Sequence, residues 1–193
     1  MVYCIISMVL TRMVSGYGAE AVATQRVGGQ IESISWNTAD GFAAALNAFI
    51  AQNYGAGKKE RVRKGYKAAV WTVGIWGLLV SSIFICFPRA IADIFFHEPK
   101  AVETAIAYLV IIGFSEAFMC VELTTVGALS GLGRTRLCSI ISIIFTSARI
   151  PLAVILGSLI GLNGIWWALS ATSIVKGIIF TCTFLGITGR NKF

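Results

Sequence analysis

The sequence predicts an all-α integral membrane protein with six membrane-spanning helices in one bundle. Two properties lead there. Of the 193 residues, 56% are apolar and 13% charged, with a mean hydropathy of +0.79; an ordinary soluble domain carries roughly 25% charged residues. The apolar residues also fall in runs of about 20, the length a helix needs to cross a bilayer. Gly- and Pro-containing turns separate those runs. This composition excludes a disordered chain and an ordinary cytosolic enzyme. The length leaves no room for a large domain outside the membrane.

The first span covers residues 1–17. Its apolar core, Val2–Val14, is interrupted by Arg12. That is short, so either the helix continues to about Tyr17 or the chain lacks its natural beginning, and no separate signal peptide precedes it. The second span, 30–54, has Glu32 near its start and Asp40 inside. Residues 55–67 form a basic loop in which Val62 and Tyr66 stand at helical spacing. This pattern predicts a short amphipathic helix on the cytoplasmic surface, serving as a topology signal or a dock for anionic lipid. The third span, 68–88, carries no charge between Lys67 and Arg89 and is the clearest. The fourth, 101–129, contains Glu116 and Glu122; the fifth, 137–159, contains Arg149 and Pro151; the sixth, 164–186, contains Lys176. The connections are punctuated by Gly16-Tyr17-Gly18, Gly55-Ala56-Gly57, Glu98-Pro99, Gly131-Leu132-Gly133 and Gly161-Leu162-Asn163-Gly164.

The sixteen Lys and Arg residues fix an orientation. Lys58, Lys59, Arg61, Arg63, Lys64, Lys67, Arg134, Arg136, Arg190 and Lys192 fall in loops on one side. Arg26, Arg89 and Lys100 fall on the other, and Arg12, Arg149 and Lys176 lie within spans. The positive-inside rule makes the richer side cytoplasmic, with both termini there, in the plasma membrane. The net charge of +7 thus reflects topology, not nucleic-acid binding. Trp166 and Trp167 open the last span as an aromatic belt at the outer interface, and Trp71 anchors the third. Cys4, Cys86, Cys120, Cys138 and Cys182 form no CxxC pair and read as small apolar residues.

The charges inside spans carry the functional signal, because each costs several kcal/mol unless paired or facing water. Glu32, Trp36 and Asp40 repeat at i, i+4, i+8, Asn47 continues the stripe, and Asn37 sits beside it. Such a face belongs inside a bundle. Its carboxylates can exchange a proton or hold Na⁺, and an indole between them can hold an organic cation. Equally, Glu32 can sit at the outer interface while Asp40 pairs with Arg149 or Lys176. Glu116 and Glu122 lie about 120° apart around their helix at 100° per residue. Glu116, the deeper, is assigned to the cavity and Glu122 to an ion pair. Pro151 removes a backbone bond and kinks its helix, with Arg149 as a helix-to-helix lock beside Ser142 and Thr146. Lys176, with Thr172 and Ser173 on its face, neutralises a carboxylate or snorkels. His97 lacks the second His of a zinc motif. No nucleophile–base pair and no Walker-type loop point to an enzyme, and no cofactor or metal is called for beyond a coupling H⁺ or Na⁺.

Several stretches, in order along nearly the whole chain, resemble the multidrug and toxin extrusion (MATE) transporters. They are Arg26-Val27-Gly28-Gly29-Gln30-Ile31-Glu32-Ser33, Gly41-Phe42, Ala51-Gln52-Asn53-Tyr54-Gly55-Ala56-Gly57-Lys58, Gly127-Ala128-Leu129-Ser130-Gly131-Leu132-Gly133-Arg134-Thr135, Arg149-Ile150-Pro151-Leu152-Ala153 and Gly161-Leu162-Asn163-Gly164-Ile165-Trp166. Ser130 stands where the family usually has Arg. The resemblance implies the C-terminal six-helix lobe of a two-lobe transporter, with the N-terminal lobe absent. It further implies an antiporter that exports organic cations and drugs in exchange for H⁺ or Na⁺, with acidic residues of this lobe on the coupling cation; Glu32, Asp40 and Glu116 stand on the matching helices. Substrate binds between two lobes related by an axis along the membrane normal, so the chain requires an N-terminal lobe or a second copy of itself, besides membrane lipid. Two alternatives stand beside this one: a non-transporting truncated remnant or structural subunit, and a lipid-linked oligosaccharide flippase of the same superfamily.

Overall fold

A computed structural model describes residues 2–189, with side chains from residue 5 onward. Arg190 and Lys192, counted above with the cytoplasmic charges, lie outside the described residues, as does the side chain of Cys4. Seven helices follow in order: α1 (Val2–Ser15), α2 (Ala19–Gly55), α3 (Lys59–Cys86), α4 (Pro88–Phe95), α5 (Pro99–Gly131), α6 (Thr135–Ile160) and α7 (Leu162–Gly189). The described residues contain no strand. Four helices, α3, α5, α6 and α7, are long and apolar enough to cross a membrane. The 37-residue α2 is about 55 Å long and carries Glu20, Arg26, Glu32 and Asp40; α1 is apolar but has 14 residues.

Three boundaries differ from the sequence expectation, each for a physical reason. Helix α2 begins eleven residues before position 30. Its early turns are polar, yet Ala21, Thr24 and Gly28 continue at helical spacing into the buried row Ser35, Ala39 and Ala43. The basic segment 55–67 is not a separate surface helix. From Lys59 it is the start of α3, and Val62 and Tyr66 belong to the same buried stripe as Val73, Gly77, Val80 and Phe84. Tyr66 stacks on Phe184 with ring centroids 3.7 Å apart, and the Arg63 guanidinium donates to the Thr188 carbonyl. Between the third and fourth predicted spans, Pro88 opens the short helix α4, held by an i,i+4 contact of Arg89 with Asp93 at 3.9 Å.

Two of the predicted turns close in the same way. After α2, Gly57 has φ 70°, its N–H donates to Tyr54 O, and Lys58 N–H donates to Asn53 O. After α5, Gly133 has φ 74°, its N–H donates to Ser130 O, and Arg134 N–H donates to Leu129 O. Both are Schellman closures, in which glycine alone adopts the left-handed conformation without strain. They explain the repeated Gly-x-Gly-basic pattern.

Helix α5 is the hub, packed against α2, α3 and α7. Each contact passes through a glycine. A Cβ on Gly127 would meet the backbone of Ala43 in α2, one on Gly77 of α3 would come within 2.7 Å of Ala117 Cα, and one on Gly177 of α7 within 2.7 Å of the Phe118 carbonyl. Small residues let helix backbones approach this closely inside a membrane protein. By contrast, α6 packs mainly on α7 and α1 and exposes Ile140, Ile143, Ile144, Val154, Ile155 and Leu159, an apolar face suited to lipid. Cys120 and Cys138 are buried, whereas Cys86 and Cys182 are exposed. Trp166 is not an interfacial anchor. It is fully buried, edge-on to Tyr108 at 5.0 Å between centroids, because it starts α7 on the side that faces α5. Trp71 is exposed as an anchor requires.

Candidate functional site

A cavity of about 580 Å³ lies among α1, α2, α5, α6 and α7. The exposed side chains of Ser7 and Trp36 leave it open beside α1 and α2. Its floor is α5, whose residues Tyr108, Ile112, Ser115, Met119 and Glu122 recur at helical spacing and all line it. Helix α2 contributes Gln25, Gly29, Glu32, Ser33 and Trp36, while Ser142, Thr146 and Arg149 come from α6 and Leu169, Ser173 and Lys176 from α7. The volume falls in the range of pockets for drug-sized molecules, and the mix of apolar wall with a few placed charges is the usual character of such sites.

The charges are held by specific partners. The Tyr108 hydroxyl donates to Glu32 Oε1 across α5 and α2. Gly28 makes this possible, since a Cβ there would strike the Tyr108 ring. Lys176 Nζ donates to Glu122 Oε1 at 2.7 Å, and both residues are buried. Arg149 Nε donates to Thr172 Oγ1 at 2.9 Å and its Nη2 to Ser173 Oγ at 2.8 Å. Thr172 in turn donates to Ala168 O at 2.8 Å. The α6–α7 contact is therefore fixed by hydroxyls that accept from a guanidinium.

Glu116 sits behind this wall. It is fully buried and is not among the lining residues. Neither of its carboxylate oxygens has a hydrogen-bond partner among the described residues. The neighbouring Ser35 hydroxyl lies 3.3 Å from Cys120 Sγ, where either can donate, and both Ser35 and Glu32 are near enough to interact with the Glu116 carboxyl group. An ionised carboxyl group buried in this way is costly.

The structure thus gathers Glu32, Trp36, Glu122, Arg149 and Lys176 around one cavity and leaves other sequence candidates elsewhere. Asp40 is exposed, Asn47 is half-buried farther along α2, and neither lines the cavity. Asp40 therefore does not serve Lys176, whose partner is Glu122. Pro151 lies inside α6, exposed, two residues after Arg149. Tyr108 was missed by sequence reasoning. The signal was present in the Tyr108–Ile112–Ser115–Met119–Glu122 repeat, which carries three polar groups on one face of an otherwise apolar helix.

Comparison with known proteins agrees with this architecture. The chain is 31% identical over 172 residues to a probable multidrug resistance protein NorM of Thermotoga maritima, an alignment that covers 87% of this chain and 37% of the relative. A MATE structure in the straight conformation superposes with TM-score 0.89 at 19% identity, covering 100% of this chain and 44% of that one. A MOP superfamily transporter from Pyrococcus furiosus, described as having a binding pocket of reversed polarity, superposes with TM-score 0.87 at 19% identity, covering 98% and 42%. The chain spans about two-fifths of the length of these proteins. The family model MatE matches residues 1–155. A multi-pass helical bundle that the MatE model matches over most of its length belongs to the MatE family, whose members are transporters.

Proposed function

We propose that the chain forms one lobe of a cation-coupled antiporter that exports organic cations by alternating access in the plasma membrane. The observation that carries this is the cavity wall in which Glu32, held by Tyr108, lies one helical turn from Trp36. A carboxylate beside an indole face attracts an organic cation by charge and by cation–π contact. Glu116, fully buried near Glu32 and in no ion pair among the described residues, supplies a second acid for the coupling H⁺ or Na⁺. Occupancy of one acid then alters the field at the other, which links ion and substrate. The polar, exposed side of α2, with Asn37 and Asp40, cannot rest against lipid at low cost. A second lobe, or a second copy of the chain, covers it, and Asp40 and Asn47 join the site only in that assembly. The basic loops face the cytoplasm.

The test is exchange in liposomes. The chain, alone and together with a second lobe, is reconstituted and a pH or Na⁺ gradient is imposed on vesicles containing ethidium. Gradient-driven ethidium movement is expected, with Glu32→Gln and Glu116→Gln each slowing it at least roughly tenfold, the effect of one lost charge interaction. Absence of exchange under either gradient refutes the antiporter assignment. Exchange that survives both substitutions refutes the site.

A further inference from the structure

A second space opens where α6 begins and α7 ends, and it shares no lining residue with the cavity above. It is a groove of about 570 Å³ between Arg134 and Leu137, at the entry to α6, and the end of α7 from Thr183 to Gly189. Glycine keeps it open. A Cβ placed on Gly186 or Gly189 would meet nothing within 4 Å, so α7 offers bare backbone where a side chain would fill the space.

The charge around the groove is one-sided. Arg134 is exposed and joins none of the ion pairs among the described residues. Arg136 stands two residues farther on, and no acidic residue follows Glu122 in the sequence. The Arg63 guanidinium reaches the Thr188 carbonyl, which brings the basic start of α3 to this same end of the bundle. The one acid of α3, Glu60, is already paired with Lys64 at 3.0 Å. Thr183 offers no proton to an anion, because its hydroxyl donates to Ile179 O at 2.7 Å. An anion at the rim is therefore held by Arg134, whose planar fork matches phosphate oxygens.

Behind the rim the surface turns apolar. From Leu137 a stripe continues at helical spacing to the exposed Ile140 and Ile144 on α6, and from Leu185 another runs back to the exposed Ile178 and Val175 on α7. Since α6 starts here and α7 ends here, both stripes lead away from the basic end toward the middle of the helices. A soluble anion has no use for such a track. A phospholipid matches it, with a charged phosphate at the membrane surface and an acyl chain beneath.

We propose that this groove is a binding site for an anionic phospholipid, with its phosphate on Arg134 and one acyl chain along the seam between α6 and α7. The proposal is independent of what the cavity carries.

Native mass spectrometry of the full chain, released from detergent with phosphatidylglycerol or phosphatidylcholine added, measures retention of each lipid. Phosphatidylglycerol is expected to bind roughly fivefold tighter, the effect of one basic side chain at a membrane surface. Arg134→Gln should bring it down to the phosphatidylcholine level. Gly186→Leu fills the groove with a better helix former and should weaken both lipids without lowering the unfolding midpoint. Lys100→Gln removes an equal charge at the opposite end of α5 and should leave the preference intact. Glycerol 3-phosphate, a headgroup without chains, should not displace the lipid. Equal retention of the two lipids, undiminished binding in Arg134→Gln or Gly186→Leu, an equal loss in Lys100→Gln, or displacement by glycerol 3-phosphate overturns the proposal. Arg134 and Gly186 are both exposed; should either variant fail to fold, the lipid preference of the unaltered chain and the other variant decide.

Discussion

Lys176 Nζ and Glu122 Oε1 lie 2.7 Å apart, buried between α7 and α5 at the cavity wall. Removing one partner strands the other as an uncompensated charge, which typically costs about 3 kcal/mol or more. Glu122→Gln or Lys176→Met alone should therefore lower the unfolding midpoint in detergent sharply. The double replacement Glu122→Met with Lys176→Met should recover most of the loss, because a well-packed apolar pair often matches a buried ion pair. A double variant as unstable as the worse single one would show that the pair holds more than each other.

Glu116 should behave in the opposite way. It belongs to none of the ion pairs among the described residues, so Glu116→Gln removes a buried acid at no cost in ion pairing. The unfolding midpoint is expected to stay level or rise, while gradient-driven ethidium exchange falls. A drop in stability comparable to that of Glu122→Gln would mean that Glu116 is structural.

The Tyr108–Glu32 hydrogen bond depends on the bare backbone at Gly28. Tyr108→Phe removes the donor to a buried carboxyl group, an interaction worth roughly 1–2 kcal/mol. Gly28→Ala should reproduce the defect by pushing the ring aside. Both are expected to weaken dye binding by a similar factor in titrations. Tyr17→Phe, which loses only a bond to the Gly157 carbonyl, should leave binding unchanged.

Glycine at position 127 is required by space, not by flexibility. Gly127→Ala drives a methyl into the Ala43 backbone, and overpacking of this kind costs roughly 1–3 kcal/mol. Gly74→Ala is the contrasting case. Its Cβ would meet nothing within 4 Å, and replacing a mid-helix glycine gains up to about 1 kcal/mol. Thermal unfolding of the two variants should shift in opposite directions.

Orientation can be read by labelling. In a chain with its five cysteines replaced, a cysteine at Lys64 should react with a membrane-impermeant maleimide only after cells are opened. One at Glu98 should react in intact cells. The reverse pattern would invert the topology.

The parts of the fold legible in sequence are those set by local chemistry. The turns at Gly55–Lys58 and Gly131–Arg134 follow from backbone sterics alone, and the apolar runs of α3, α5, α6 and α7 from their hydropathy. The polar stripe on α2 was only half legible. Steps of four residues advance 400° around a helix, so each step drifts about 40°. Glu32 and Trp36 reach the cavity, but by Asp40 the stripe has turned to the outer side, while Ser35, Ala39 and Ala43 take the inner one. The partner of Lys176 was not legible, because it depends on how α5 and α7 are rotated against each other. Trp166 shows the same limit: its place at a helix start suggests an interface, and only the packing of α7 on α5 buries it.

The glycine contacts along α5 have a mechanical meaning. A helix whose backbone is seated against three neighbours, with no side chain between to deform, transmits force as a solid strut. Helices α2, α3, α5 and α7 must then tilt together or not at all. Helix α6 joins this unit through α7, where Arg149 bonds Thr172 and Ser173, so the short helix α1, with few neighbours besides α6 and α2, is the most lightly held part of the bundle.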